Sequence, residues 1–258
     1  MNKRRKGTSS KKKKGSSYPT VKGLLGIILA IVVLATFLLV YRQRFMYHPI
    51  PPVVLDKFEM KGIDVSRHNG KIDWSAVSEE GITFAYIKAT ESVAYIDTSF
   101  ITNYECAVKE GIMVGAYHFF RFNESGEEQA RHFIKNSQYK KGDLPPVIDV
   151  EHSPFNFISR PKDVARRLRD MEHLLHAYYG VRPIIYTNKD CFKKYIRDYF
   201  PDVRLWICDL SGEPNEKDHP NWIFWQYSHR GQLNGITEKV DLNVFQGSPE
   251  DMKELTTY

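Results

Sequence analysis

Four carboxylates stand in strand-like contexts where they could do chemistry together. They are Asp64 in GIDVSRHNG, Asp149 and Glu151 in PPVIDVEH, and Asp241 in KVDLNVF. In Val147-Ile148-Asp149-Val150-Glu151 the acids alternate with apolar residues. On a strand, both acids leave one face while Ile148 and Val150 bury the other. Two carboxyls on one face, about 7 Å apart at the backbone, repel each other and hold a proton between them near neutral pH. Such a pair can cleave a glycosidic bond, one group protonating the leaving oxygen while another stabilises the sugar cation. A lone D-x-E also fits a solvated strand end, or acids paired with Lys and Arg. The rest of the chain has to decide.

Acids at strand ends need a frame that gathers those ends. Apolar strands are expected over 62–68, 82–90, 112–120, 146–151 and 182–187, and helices after them over 74–80, 98–110, 124–136, 161–179 and 190–199. Gly81, Gly111 and Gly180 stop three of those helices. Near-continuous apolar strands alternating with helices imply a parallel sheet covered by helices. Three more strands, 203–208, 222–227 and 240–245, follow with no convincing helix between them. The expected fold is therefore α/β: a modified TIM-like barrel of five β/α units plus three β-strands, preceded by one transmembrane helix. Reactive groups in such barrels stand at the carboxyl ends of the strands. Asp64, Tyr117, Asp149, Glu151 and Tyr186 all fall there.

At 258 residues, with 42% hydrophobic and 13% aromatic content, the chain can bury a sizeable core and is unlike a disordered one. The net charge of +6 is a property of one end. Residues 1–22 hold nine of the 37 Lys and Arg and no acid, leaving 28 bases against 31 acids, a net of −3, for the remainder. A basic arm for nucleic acid is one reading of such a tail, but the next segment overrules it. Gly23 to Tyr41 is 19 residues without a charge, roughly 28 Å as a helix and close to a bilayer's hydrocarbon core. The more basic flank precedes it, which puts the amino terminus in the cytoplasm. The run ends in Leu-Leu-Val-Tyr-Arg, without the small residues a signal peptidase wants, so an uncleaved signal anchor is expected. The division is then 1–22 basic cytoplasmic tail, 23–41 anchor, 42–60 spacer, 61–248 catalytic barrel and 249–258 carboxyl-terminal tail, with the barrel outside the cytoplasm.

Cys106, Cys191 and Cys208 are too few for a disulfide framework and lack metal-ligand spacing, although a Cys191–Cys208 bridge is an option in an oxidising compartment. The nine His form no H-x-H or H-x-x-E-H cluster, so no metal or cofactor is expected. A monomer is the working expectation.

GIDVSRHNGKIDW, FAYIKATES with a following Asp97, GAYHFFR, PPVIDVE, PIIYTN, LWI, WQYS and VDLNVF occur in this order. In that order they resemble glycoside hydrolase family 25, the Chalaropsis-type lysozymes or muramidases, from Lys61 to about Gly247. The resemblance implies hydrolysis of the β-1,4 bond between N-acetylmuramic acid and N-acetylglucosamine in peptidoglycan glycan strands. It implies Glu151 as general acid, Asp149 as the group orienting the 2-acetamido substituent or the developing cation, and Asp64 and Asp241 as acids completing the pocket. It also implies that Tyr117, Tyr186, Trp225 and Gln226 line sugar subsites. Trp74, Trp206, His118 and His152 read instead as packing residues, and Arg121 as either a pocket residue or a surface ion pair. Ser92 and Cys208-Asp209-Leu210 depart from the family's usual pattern and put fine substrate preference in doubt. Two other functions stay open: a wall-binding module that has lost catalysis, and a glycosidase for another N-acetylated polymer such as chitin. The four acids together favour an enzyme, because a binder needs no proton donor.

Overall fold

The computed structural model describes residues 21–45 and 55–256, except 139, 155, 157 and 158; in the first helix it describes side chains 23–39. Most of the basic segment 1–22, part of the spacer 42–60 and the last two residues lie outside the described residues. The chain divides into two compact units, Met1–Tyr47 and His48–Tyr258.

In the first unit, Val21–Phe45 is one helix of 25 residues. Among the described residues no helix is long and apolar enough to cross a membrane. The expected membrane-spanning helix therefore lacks support in the fold itself.

The second unit is the barrel. Its strands are β1 (Lys61–Val65), β2 (Phe84–Glu91), β3 (Tyr95–Ile96), β4 (Met113–Phe119), β5 (Val147–Val150), β6 (Ile184–Asn188), β7 (Leu205–Cys208), β8 (Trp222–Gly231) and β9 (Val240–Phe245). Eight of them close a ring in the order β1-β2-β4-β5-β6-β7-β8-β9, and the short β3 is appended to β2. Neighbours run parallel from β1 round to β8, whereas β9 is antiparallel to both β8 and β1. That reversal brings the start of β9, and with it Asp241, to the rim where the parallel strands end. Asp241 sits directly across from Asp64.

Strand alternation sorts the core into two layers. Phe84, Tyr86, Val147, Ile184, Tyr186, Trp206, Phe224 and Phe245 fill the barrel. Their neighbours Ala85, Ile87, Ile148, Ile185, Ile207 and Trp225 face the helices. Gly115 is required inside, because a Cβ there would collide with the Tyr86 ring.

The helices Trp74–Glu79, Phe100–Lys109, Gly126–Asn136 and Pro161–Tyr179 lie where the periodicity predicts them. The last ends on Gly180 in the left-handed region, φ 72°. The fifth helix, expected over 190–199, is instead a short turn Lys189–Cys191 continued by a π-type turn Phe192–Ile196. Two expected boundaries move. Phe58 and Met60 are buried in the core, so the folded domain begins before residue 61. Residues Pro249–Leu255 form a helix capped by Ser248, with Met252 and Leu255 buried, and are part of the domain and not a loose tail.

Candidate active site

The rim gathers the expected acids from separate strands. Asp64, Asp149, Glu151 and Asp241 line one cavity of about 210 Å³ together with Tyr117, Tyr186, Trp206, Phe119, Lys88 and His229. Asp149 lies on β5 and Glu151 just past its end, two residues on and facing the same way.

Asp64 is held from behind. Gln226 Nε2 and Asn243 Nδ2 each donate to its Oδ2 at 2.8 Å. Tyr186 in turn donates its hydroxyl to Gln226 Oε1 at 2.8 Å, and Trp206 Nε1 donates to Asn243 Oδ1 at 2.8 Å. This chain of bonds fixes two pocket walls and one acid in a single arrangement. Burial, then the facing charge of Asp241, pushes Asp64 up to about 8 against those bonds. Asp64 is therefore largely neutral at pH 7. Asp241 itself bonds His229, Nδ1 to Oδ1 at 2.9 Å.

The D-x-E pair is perturbed in the same direction. Burial pushes Glu151 up to about 7, with the His229 charge opposing and the Asp241 charge adding. Asp149, 6% exposed, is also raised, by burial first and then by the Glu151 charge. Its Oδ1 has no hydrogen-bond partner among the described residues. The two carboxyls hold a proton as a pair, and Glu151 is the more open of the two. Lys88 supplies a nearby positive charge and is itself bound to Glu91 at 2.6 Å, a carboxylate that also pairs with Arg121.

Three sequence expectations change here. Trp225 does not line the pocket. It is fully buried on the helix side, edge-on to Phe58 with ring centroids 6.0 Å apart, and its Nε1 donates to the Asp209 carbonyl. Adjacent residues on a strand cannot both face inward, and Gln226 takes the inward position. Gln226 holds Asp64 and is 1% exposed, so it stands behind the pocket wall. Trp206, read as a packing residue, is on the pocket wall. Arg121 is not among the residues lining the pocket and takes the ion-pair alternative, with Glu91, both side chains partly buried.

Lys88, Asn243 and His229 were missed. Lys88 shares the parity of Phe84 and Tyr86 on β2, so alternation alone could have found it. Asn243 likewise shares the parity of Asp241 on β9. His229 lies past one register shift, between Gln226 and Ser228, and inside a second, between Ser228 and Gly231, which scramble the inward positions of β8. His118 and His152 pack, as expected. His118 is buried against Thr90 and Gln129, and burial pushes it down to about 3. His152 packs edge-on against Phe122 and Tyr195. Cys191 and Cys208 are both free thiols. Among the described residues no group of side chains could hold a metal ion.

A closed barrel with paired, proton-holding carboxyls among aromatic walls at its carboxyl rim is the construction of a glycoside hydrolase. The family model "Glycosyl hydrolases family 25" matches residues 63–236. The chain belongs to that family. It is 38% identical to a family 25 glycosyl hydrolase from Bacillus anthracis, with a TM-score of 0.75 over 82% of this chain and 97% of that one. A bacterial lysozyme from Streptomyces coelicolor is 33% identical, with a TM-score of 0.72 over 78% of this chain and 98% of that one. Lysozyme M1 of Streptomyces globisporus is 36% identical over 206 residues, 75% of this chain and 70% of that protein.

Proposed function

We propose that this enzyme is a peptidoglycan hydrolase of the muramidase type, cleaving the β-1,4 bond on the reducing side of N-acetylmuramic acid. Glu151 is the general acid. The observation that carries this reading is the Asp149–Glu151 pair, both raised by burial and Glu151 to about 7, inside a pocket walled by Tyr117, Tyr186 and Trp206. Aromatic faces stack on the apolar faces of sugar rings, and the polar groups between them take the hydroxyls.

Glu151 protonates the leaving oxygen as the C1–O bond breaks. The carbonyl oxygen of the substrate's own 2-acetamido group attacks C1 from the opposite face. Asp149 accepts a hydrogen bond from the acetamido nitrogen and steadies the resulting cyclic cation. Water then opens that ring, giving its proton to Glu151 and leaving C1 in its original configuration. Asp64, neutral, and Asp241, ion-paired, shape the floor. The rival course is inversion, with Asp64 or Asp241 as base for a water across the ring. Proton NMR of the first product decides between them: β is expected, and initial release of the α anomer would contradict the substrate-assisted course.

The amino-terminal segment is read as a membrane anchor with the barrel outside the cytoplasm. Support comes from the sequence alone, from the uncharged run Gly23–Tyr41 and the nine bases that precede it. The anchor would keep the enzyme near its polymeric substrate by raising local concentration. The protein should stay with membranes through a high-salt wash; a mature amino terminus beyond Tyr41 would show cleavage instead.

A further inference from the structure

Cys208 closes β7 at the rim of the pocket, and its sulfur takes no part in the glycan chemistry above. The sulfur lies 3.5 Å from His229 Nε2, and Nδ1 of the same ring lies 2.9 Å from Asp241 Oδ1. The three residues come from three adjacent strands, β7, β8 and β9. A thiol, a ring within its reach and a carboxylate orienting that ring are the parts of an activated nucleophile. The bond to Asp241, then that to Cys208, pushes His229 up to about 11, so the ring is charged at neutral pH. A charged ring can donate its Nε2–H to sulfur and balance the negative charge a nucleophilic thiolate carries.

The other thiols lack these parts. Cys191 is fully buried, and burial pushes it up to about 12. Cys106 is exposed on the helix Phe100–Lys109, with no histidine bonded to it among the described residues. Peptide-bond cleavage at Cys208 is a poor fit, because the backbone N–H that follows it, Asp209 N–H, is already committed to the Gln226 carbonyl at 3.1 Å and is not free to hold an acyl-transfer oxyanion. Exchange with a disulfide needs no oxyanion donor.

The geometry points to Cys208 as a modification site, a reactive thiol that small disulfides convert to a mixed disulfide, closing the glycan pocket from its rim. The thiolate attacks one sulfur of the disulfide, a new S–S bond forms and the old one breaks. The departing thiolate takes up the proton that Cys208 gave to water. Cys208 is oxidised, half of the disulfide is reduced to a thiol, and no further reactant enters. The adduct draws the sulfur away from His229 and adds bulk beside Tyr186 and Trp206, against whose cluster Cys208 packs.

The test treats the full-length protein with oxidised glutathione and locates adducts by mass spectrometry. Cys208 should react at least about tenfold faster than Cys106, and His229→Ala should slow labelling at Cys208 about tenfold. Neither rate depends on which glycan bond the enzyme cuts. Glycan cleavage should fall in step with labelling and return with a reductant, while Cys208→Ala cleaves equally with and without glutathione. Equal labelling of Cys106 and Cys208, an unchanged rate in His229→Ala, or full cleavage by the labelled protein would overturn the proposal.

Discussion

Asp64 makes the energetic cost of this site visible in one side chain. A carboxyl whose ordinary value is 3.8 is raised to about 8 in the folded protein, by burial and by Asp241 across the strand pair. Between those two values the folded state keeps a proton that the unfolded chain has lost. The contribution of Asp64 to stability is therefore largest below about pH 4, declines as pH rises through the window, and levels off above about 8. Asp64→Asn keeps a carbonyl oxygen for the Gln226 and Asn243 donors and removes the buried charge. It should melt higher than the native protein at pH 9, by on the order of 1–3 kcal/mol, and the difference should shrink towards pH 4. A constant difference across that range would show that Asp64 holds no extra proton. Burial of the same kind holds a proton on the neighbouring D-x-E pair for its work.

The elements of the barrel were legible because each rests on a local rule. Strands β1 to β9, apart from the short β3, follow apolar runs of the expected length, and the helix Pro161–Tyr179 carries a proline at its start and a glycine at its stop. What the sequence hid was parity after irregularities. Trp225 and Gln226 were both assigned inward although neighbours on a strand face opposite ways, and the shifts in β8 concealed His229. The helix Pro249–Leu255 was missed because seven residues carry too few turns for a clear period. Trp225 now predicts its own behaviour. Trp225→Ala should lower unfolding stability by about 3–5 kcal/mol while the folded fraction keeps its KM. A native melting curve with a raised KM would return Trp225 to the sugar subsite.

At the scale of the whole molecule, the chain joins a basic amino-terminal stretch and an uncharged helical run to a domain, residues 48–258, with 26 Lys and Arg against 31 Asp and Glu and a rim of proton-holding carboxyls. The domain's role follows from which sugar is left with a free reducing end. Borohydride converts that sugar to its alditol, so the bond cut can be read from the product. Purified peptidoglycan should be digested with the native enzyme and with Glu151→Gln, which keeps the shape of the acid without its proton, then reduced and analysed by mass. The account predicts muramitol from the native enzyme and at least about a hundredfold less from the folded variant. Glucosaminitol in its place, or muramitol at native rate from Glu151→Gln, would contradict it.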